Sequence, residues 1–107
     1  MKIFSAVIVA LMIFSANISA FASSAVTSDG YCKGIKLWGK VKVVDHFADL
    51  KVQVVQNFPD LKVQVVQNFP DSLGKWQFVN YGEDFTVQFV DSFPDLKIKF
   101  VDSFPGL

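Results

Sequence analysis

Two of the most reactive side chains of this chain occur once each. Cys32 is the single cysteine and His46 the single histidine, fourteen positions apart, and Asp45 stands beside the histidine. A thiol, an imidazole and a carboxylate are the ingredients of a nucleophile, its base and an orienting partner. Neither position has a motif around it, and a metal centre would need further positioned ligands. An enzyme built around Asp45, His46 and Cys32 is therefore the alternative reading. The leading expectation is a non-enzymatic chain with no cofactor and no metal.

Two larger sets of residues could bind. Asp49, Asp60, Asp71, Asp84 and Asp95 recur along the chain, and a row of carboxylates could meet the about six to eight oxygens that Ca²⁺ takes. Most of these carboxylates follow Phe-Pro instead of lying in the Gly-rich turns of calcium-binding repeats, so turn closure and surface charge balance are the expected roles. Tyr31, Trp38, Trp76 and Tyr81 could form a carbohydrate platform or fill the ends of a core. Trp76, Tyr81 and Glu83 are the candidate binding patch, because they lie where the pattern described next breaks down.

That pattern is an eleven-residue phrase. LKVQVVQNFPD occupies Leu50 to Asp60 and again Leu61 to Asp71 without a change. Gly39 to Asp49 precedes the pair in weaker form, and Phe85 to Asp95 and Leu96 to Gly106 follow it. Between them an inserted Ser72-Leu73 leads into a looser unit, Gly74 to Asp84. Six units make a repeat architecture. A period of eleven also suits a right-handed helical coil, but Pro59, Pro70, Pro94 and Pro105 would each break a helix at a cost of about 3 kcal/mol. Stretches such as KVQVV and KIKFV alternate apolar and polar residues, so each unit reads as a strand and a corner.

The alternation predicts that Val52, Val54, Val63, Val65, Val87, Phe89, Ile98 and Phe100 face the core. Lys51, Gln53, Lys62, Gln64, Gln88, Lys97 and Lys99 should face water. In the corners, Pro is expected to push the preceding Phe toward an extended conformation, and Asp to bond nearby amides. Phe58, Phe69, Phe93 and Phe104 are too apolar for solvated loops and are expected to plug the core, each costing about 3–5 kcal/mol if cut to Ala.

Met1-Lys2, the apolar run Ile3 to Ser15 and the small-x-small stretch Ala20-Phe21-Ala22 read as an export signal, residues 1–22, cleaved after Ala22. The run is shorter than the ~20 residues that span a bilayer. Residues 23–33 are a lead-in and 34–107 the repeat domain. With Lys2 gone, nine lysines face ten carboxylates, which offers no basic face to nucleic acid or anionic lipid. One Cys permits no internal disulfide, so stability must come from packing.

The recurring [LF]-x-[VI]-[QK]-[VF]-V-[DQ]-[NS]-F-P-D phrase, ending in FVDSFPGL, resembles the septoil-knot proteins from Gly34 to Leu107. The resemblance implies a compact, knotted all-β domain of short winding strands. It implies no activity, and fold alone supplies none. Departures lie at Ala48, where Pro is expected, and at Tyr81-Gly82-Glu83. The expected protein is periplasmic or secreted, durable and structural or binding in role. A monomer is expected, with a disulfide dimer through Cys32 as the alternative. A weaker functional reading, amyloid, takes LKVQVV as an aggregation-prone strand.

Overall fold

Five of the six barrel strands begin at a buried residue, and the sixth, Lys75–Phe78, buries its second. In Leu50–Val54 the first and third residues are buried, the second is exposed, the fourth is half-buried and the fifth is exposed again. The same succession runs through Leu61–Val65 and Leu96–Phe100. A computed structural model describes residues 25–107; the export signal expected at residues 1–22 lies outside them. The strands are β1 (Tyr31–Cys32), β2 (Ile35–Lys36), β3 (Gly39–Val43), β4 (Leu50–Val54), β5 (Leu61–Val65), β6 (Lys75–Phe78), β7 (Phe85–Phe89) and β8 (Leu96–Phe100). No helix occurs among the described residues.

Strands β3 to β8 close into a barrel in the order β3-β6-β5-β8-β4-β7, and every pairing in it is parallel. Closure leaves no open edge, so each LKVQVV strand is bonded on both sides. The chain travels round the ring twice. β3, β4 and β5 make the first circuit, each step skipping one place, and β6, β7 and β8 fill the gaps. A constant step of two on a ring of six would bring the fourth strand back onto the first. The extra residues Ser72-Leu73 fall at the one junction, β5 to β6, where the chain moves to the adjacent place instead.

Register shows how the corners run. Val54 ends β4 and Leu61 begins β5, yet both pair with Ile98, from opposite sides of β8. The intervening corner must therefore cross β8, and it passes outside because the interior is filled. Val87 is straddled in the same way by Val43 and Leu50, Val41 by Phe78 and Phe85, and Val52 by Phe89 and Leu96.

The core consists of the first and third residues of the strands. Leu50, Val52, Leu61, Val63, Phe85, Val87, Leu96 and Ile98 are buried together with Val41 and Trp76. Gly39 pairs beside Trp76, and a Cβ on Gly39 would run into the Asp84 carboxylate. Half of the expected core is displaced from this arrangement. Val54, Val65, Phe89 and Phe100 lie on the inward side of the alternation but at the strand ends, where the barrel opens, and remain 41–46% exposed. The leucines that open the strands take their place.

Residues 25–38 close the opposite end, where the strands begin. β1 and β2 form a small antiparallel hairpin, and Val26, Cys32 and Leu37 are buried in the core cluster. Leu37 ties this segment to the barrel: its carbonyl accepts from the Gly74 amide at 3.0 Å and from the Trp76 indole N–H at 3.1 Å. The lead-in is thus a plug for one mouth of the barrel.

Candidate functional site

The corner phenylalanines do not plug the core. Phe47, Phe58, Phe69, Phe93 and Phe104 are 79–102% exposed, and their φ angles lie between 54° and 58°. That is the left-handed region, which costs an L-residue about 1–2 kcal/mol. Proline is not the cause, since Phe47 precedes Ala48 and adopts the same conformation. The turn itself demands a positive φ: in the remaining unit the equivalent place belongs to Gly82, at +79°. A left-handed backbone at this point turns the side chain away from the strand beneath, so the ring projects into water. The corners of Phe47, Phe58, Phe93 and Phe104 ride outside β7, β8, β4 and β5, and that of Phe69 stands at the β5–β6 junction, so the rings are spread around the barrel, with a gap where Gly82 crosses β3.

The aspartates that follow fasten the corners. The Asp60 amide donates to the Lys97 carbonyl at 2.7 Å, and its carboxylate accepts the Lys97 amide at 2.8 Å. Asp95 holds Lys51 and Asp84 holds Lys40 through the same pair of bonds. Asp49 holds Thr86, donating to its hydroxyl oxygen and accepting its amide. Gly106 replaces the carboxylate with its own carbonyl and exchanges two backbone bonds with Lys62. Sequence reasoning placed these carboxylates against nearby amides, whereas their partners lie 37 or 44 residues away. Among the described residues no three His, Cys, Asp or Glu side chains gather to hold a metal.

Asp71 is different although its unit is a copy. It stands at the β5–β6 junction, and among the described residues its amide bonds only the Phe69 carbonyl and no strand amide reaches its carboxylate. Asp60→Ala is therefore expected to cost about 1–3 kcal/mol, the range for a charged hydrogen bond, and Asp71→Ala under about 0.5 kcal/mol. Urea midpoints of the two variants check this, and equal losses would show that the bracket on Lys97 contributes nothing.

The remaining candidates are dispersed. Asp45 and His46 are exposed on the corner that crosses β7, with the imidazole near the Phe47 ring. Cys32 is 2% exposed in the plug, its Sγ 3.8 Å from the Asp95 carbonyl. Burial, then the Asp95 charge, push its thiol above the ordinary value, with Lys33 opposing and Asp60 adding a smaller push. A protonated, enclosed thiol is a poor nucleophile, and a disulfide with another chain would require the plug to come away. The structure does not bring Asp45, His46 and Cys32 together.

The binding patch divides as well. Trp76 is fully buried against Phe78 and Phe85, so it cannot join a surface with Tyr81 and Glu83, which are exposed on their corner. Tyr31 and Trp38 meet edge to face at 5.9 Å, with the Lys36 ammonium over the indole, at the plugged end and apart from Tyr81. Sequence reasoning missed the exposed rings altogether. The available signal was Gly82, a glycine in the place that Phe occupies five times.

A closed parallel barrel whose corners pass outside its own strands is a threaded, all-β domain. Compared with models of known families, residues 34–107 match the 7(1) septoil knot domain, and the chain belongs to that family. A comparison with curated proteins gives no match.

Proposed function

We propose that the protein is an exported, non-enzymatic module of periplasmic or secreted location that acts by holding aromatic rings rigidly in water for recognition. The observation that carries this reading is the set of five exposed phenylalanines at positive φ. Each gives up about 1.5–3 kcal/mol that burial of a Phe side chain would supply, and each also holds a conformation that glycine adopts more easily. Packing within the chain gives no reason for either cost, whereas a partner that covers the rings does. The bracketed corners keep the rings from collapsing onto the surface, which reduces the ordering penalty on binding.

The test is to replace Phe58, Phe69, Phe93 and Phe104 with glycine, singly and together. Each change should leave stability within about 1 kcal/mol of the parent, because relief of the left-handed strain offsets the freedom that glycine gives the unfolded chain. Retention on a hydrophobic column should fall stepwise with each ring removed. A single replacement that lowered stability by about 3 kcal/mol, as for a core Phe, would make the rings structural and end the recognition reading. Export is tested separately by the mass of the processed protein, which should begin at Ser23.

A further inference from the structure

The ring of corners has one flaw. On β4 and β5, Gln53 and Gln64 point outward and donate to the Asp91 and Asp102 carbonyls of the corners above them, at 2.9 and 3.0 Å. On β3 the equivalent residue is Lys42, whose ammonium makes no hydrogen bond or ion pair with any described residue, and the corner above it carries Gly82 instead of Phe. An open depression of about 250 Å³ results, lined by Lys42, Val43, Phe78, Val79 and Asn80. Its wall mixes the apolar side chains of Val43, Phe78 and Val79 with polar groups in about equal measure, and Lys42 makes one side of its rim cationic.

We propose that the occupant is a second copy of this chain, whose corner carrying Asp91 and Phe93 enters this depression head to tail. The inference rests on the recognition reading above and names its partner, in place of the monomer expected from sequence. Phe93 is 91% exposed, and its ring suits the part of the lining formed by Val43, Phe78 and Val79. The Asp91 carboxylate, two residues before it, has no ion pair among the described residues and is complementary to Lys42. Position selects this corner from the others. Phe58 and Phe69 are preceded by Gln56 and Gln67 and bring no charge. The corners of Phe47 and Phe104 are acidic but ride on β7 and β5, the ring neighbours of β3 and β6. Phe93 rides on β4, which stands across the ring from β6. Knob and hole therefore face opposite sides of the barrel, and such a contact propagates into an open chain or a large ring, not a two-fold dimer. A near-zero net charge puts little long-range repulsion in the way.

Sedimentation of the purified protein should show association that grows with concentration and weakens between about 0.05 and 0.5 M salt, as screening of Asp91 and Lys42 requires. Phe93→Ser and Lys42→Glu should each weaken it roughly tenfold or more, the effect of losing a central contact, whereas Phe58→Ser should not. The decisive experiment mixes the two deficient variants. One keeps its hole and the other its knob, so together they should form a one-to-one dimer that neither forms alone. Combining Asp91→Lys with Lys42→Asp in one chain should restore association. Thermal melts of each variant exclude misfolding. A parent that stays monomeric at about millimolar concentration, a Phe58→Ser variant as deficient as Phe93→Ser, or a mixture with no dimer would each overturn the inference. Adsorption of the monomeric parent to phosphatidylcholine vesicles would overturn it in favour of a lipid surface. A monomeric parent whose Phe variants stay stable leaves the recognition reading standing, whereas Phe variants that unfold remove both.

Discussion

Trp76→Ala is expected to remove about 3–5 kcal/mol of folding stability, the range for an excised core aromatic. Trp76 is the largest fully buried side chain, packed edge to face on Phe85 with ring centres 5.6 Å apart and on Phe78 at 6.1 Å. The Leu37 carbonyl would also lose its indole donor and keep only the Gly74 amide, loosening the plug. A domain of this kind holds about 5–15 kcal/mol in total, so the variant should melt far earlier than the parent. Trp76→Phe keeps most of the packing and loses the hydrogen bond, at about 1–2 kcal/mol. Denaturant titration checks both, and a loss under about 1.5 kcal/mol for the alanine variant would show that the core re-forms without the indole.

Deleting Ser72-Leu73 should have the larger effect, loss of the cooperative fold. With the insertion gone, six units would follow with no change of step, and Gly74 to Asp84 would be directed to the place that β3 holds. Leu73 also packs beside Gly30 and against the core, so a control must separate packing from length. Replacing the pair with Ser-Ala keeps the length and should cost only the buried part of one leucine, about 1–3 kcal/mol at this half-buried site. Circular dichroism and hydrogen exchange report the comparison. A deletion variant as native as the Ser-Ala variant would show that the junction does not set the strand order.

The strands were legible from sequence and their closure was not. Alternation in KVQVV and KIKFV identified the pleated segments, because a strand buried on one face must alternate. Pairing partners could not be read, since Leu50 and Leu61 open identical strands, yet one sits beside Val87 and the other beside Ile98. Only the resemblance to knotted proteins pointed to threading. The phenylalanines were misread because hydrophobicity predicts burial on average, while a turn that needs a positive φ fixes the direction of its side chain whatever the residue. Trp76 was misread for the opposite reason: irregularity in the unit from Ser72 to Asp84 suggested an exposed site, whereas its indole is fully buried in the core.

The brackets formed by Asp49, Asp60, Asp84 and Asp95 grip almost entirely peptide groups. Except at Thr86, nothing in them depends on the identity of the residue held. Lys40, Lys51 and Lys97 could be exchanged for other outward-facing residues while the crossing over each stays fastened. The ninth place of each unit asks only for a left-handed backbone. Fold and outer coat are therefore written in separate alphabets, so the coat can be rewritten by mutation, and a new partner acquired, without revising the instructions that tie the chain.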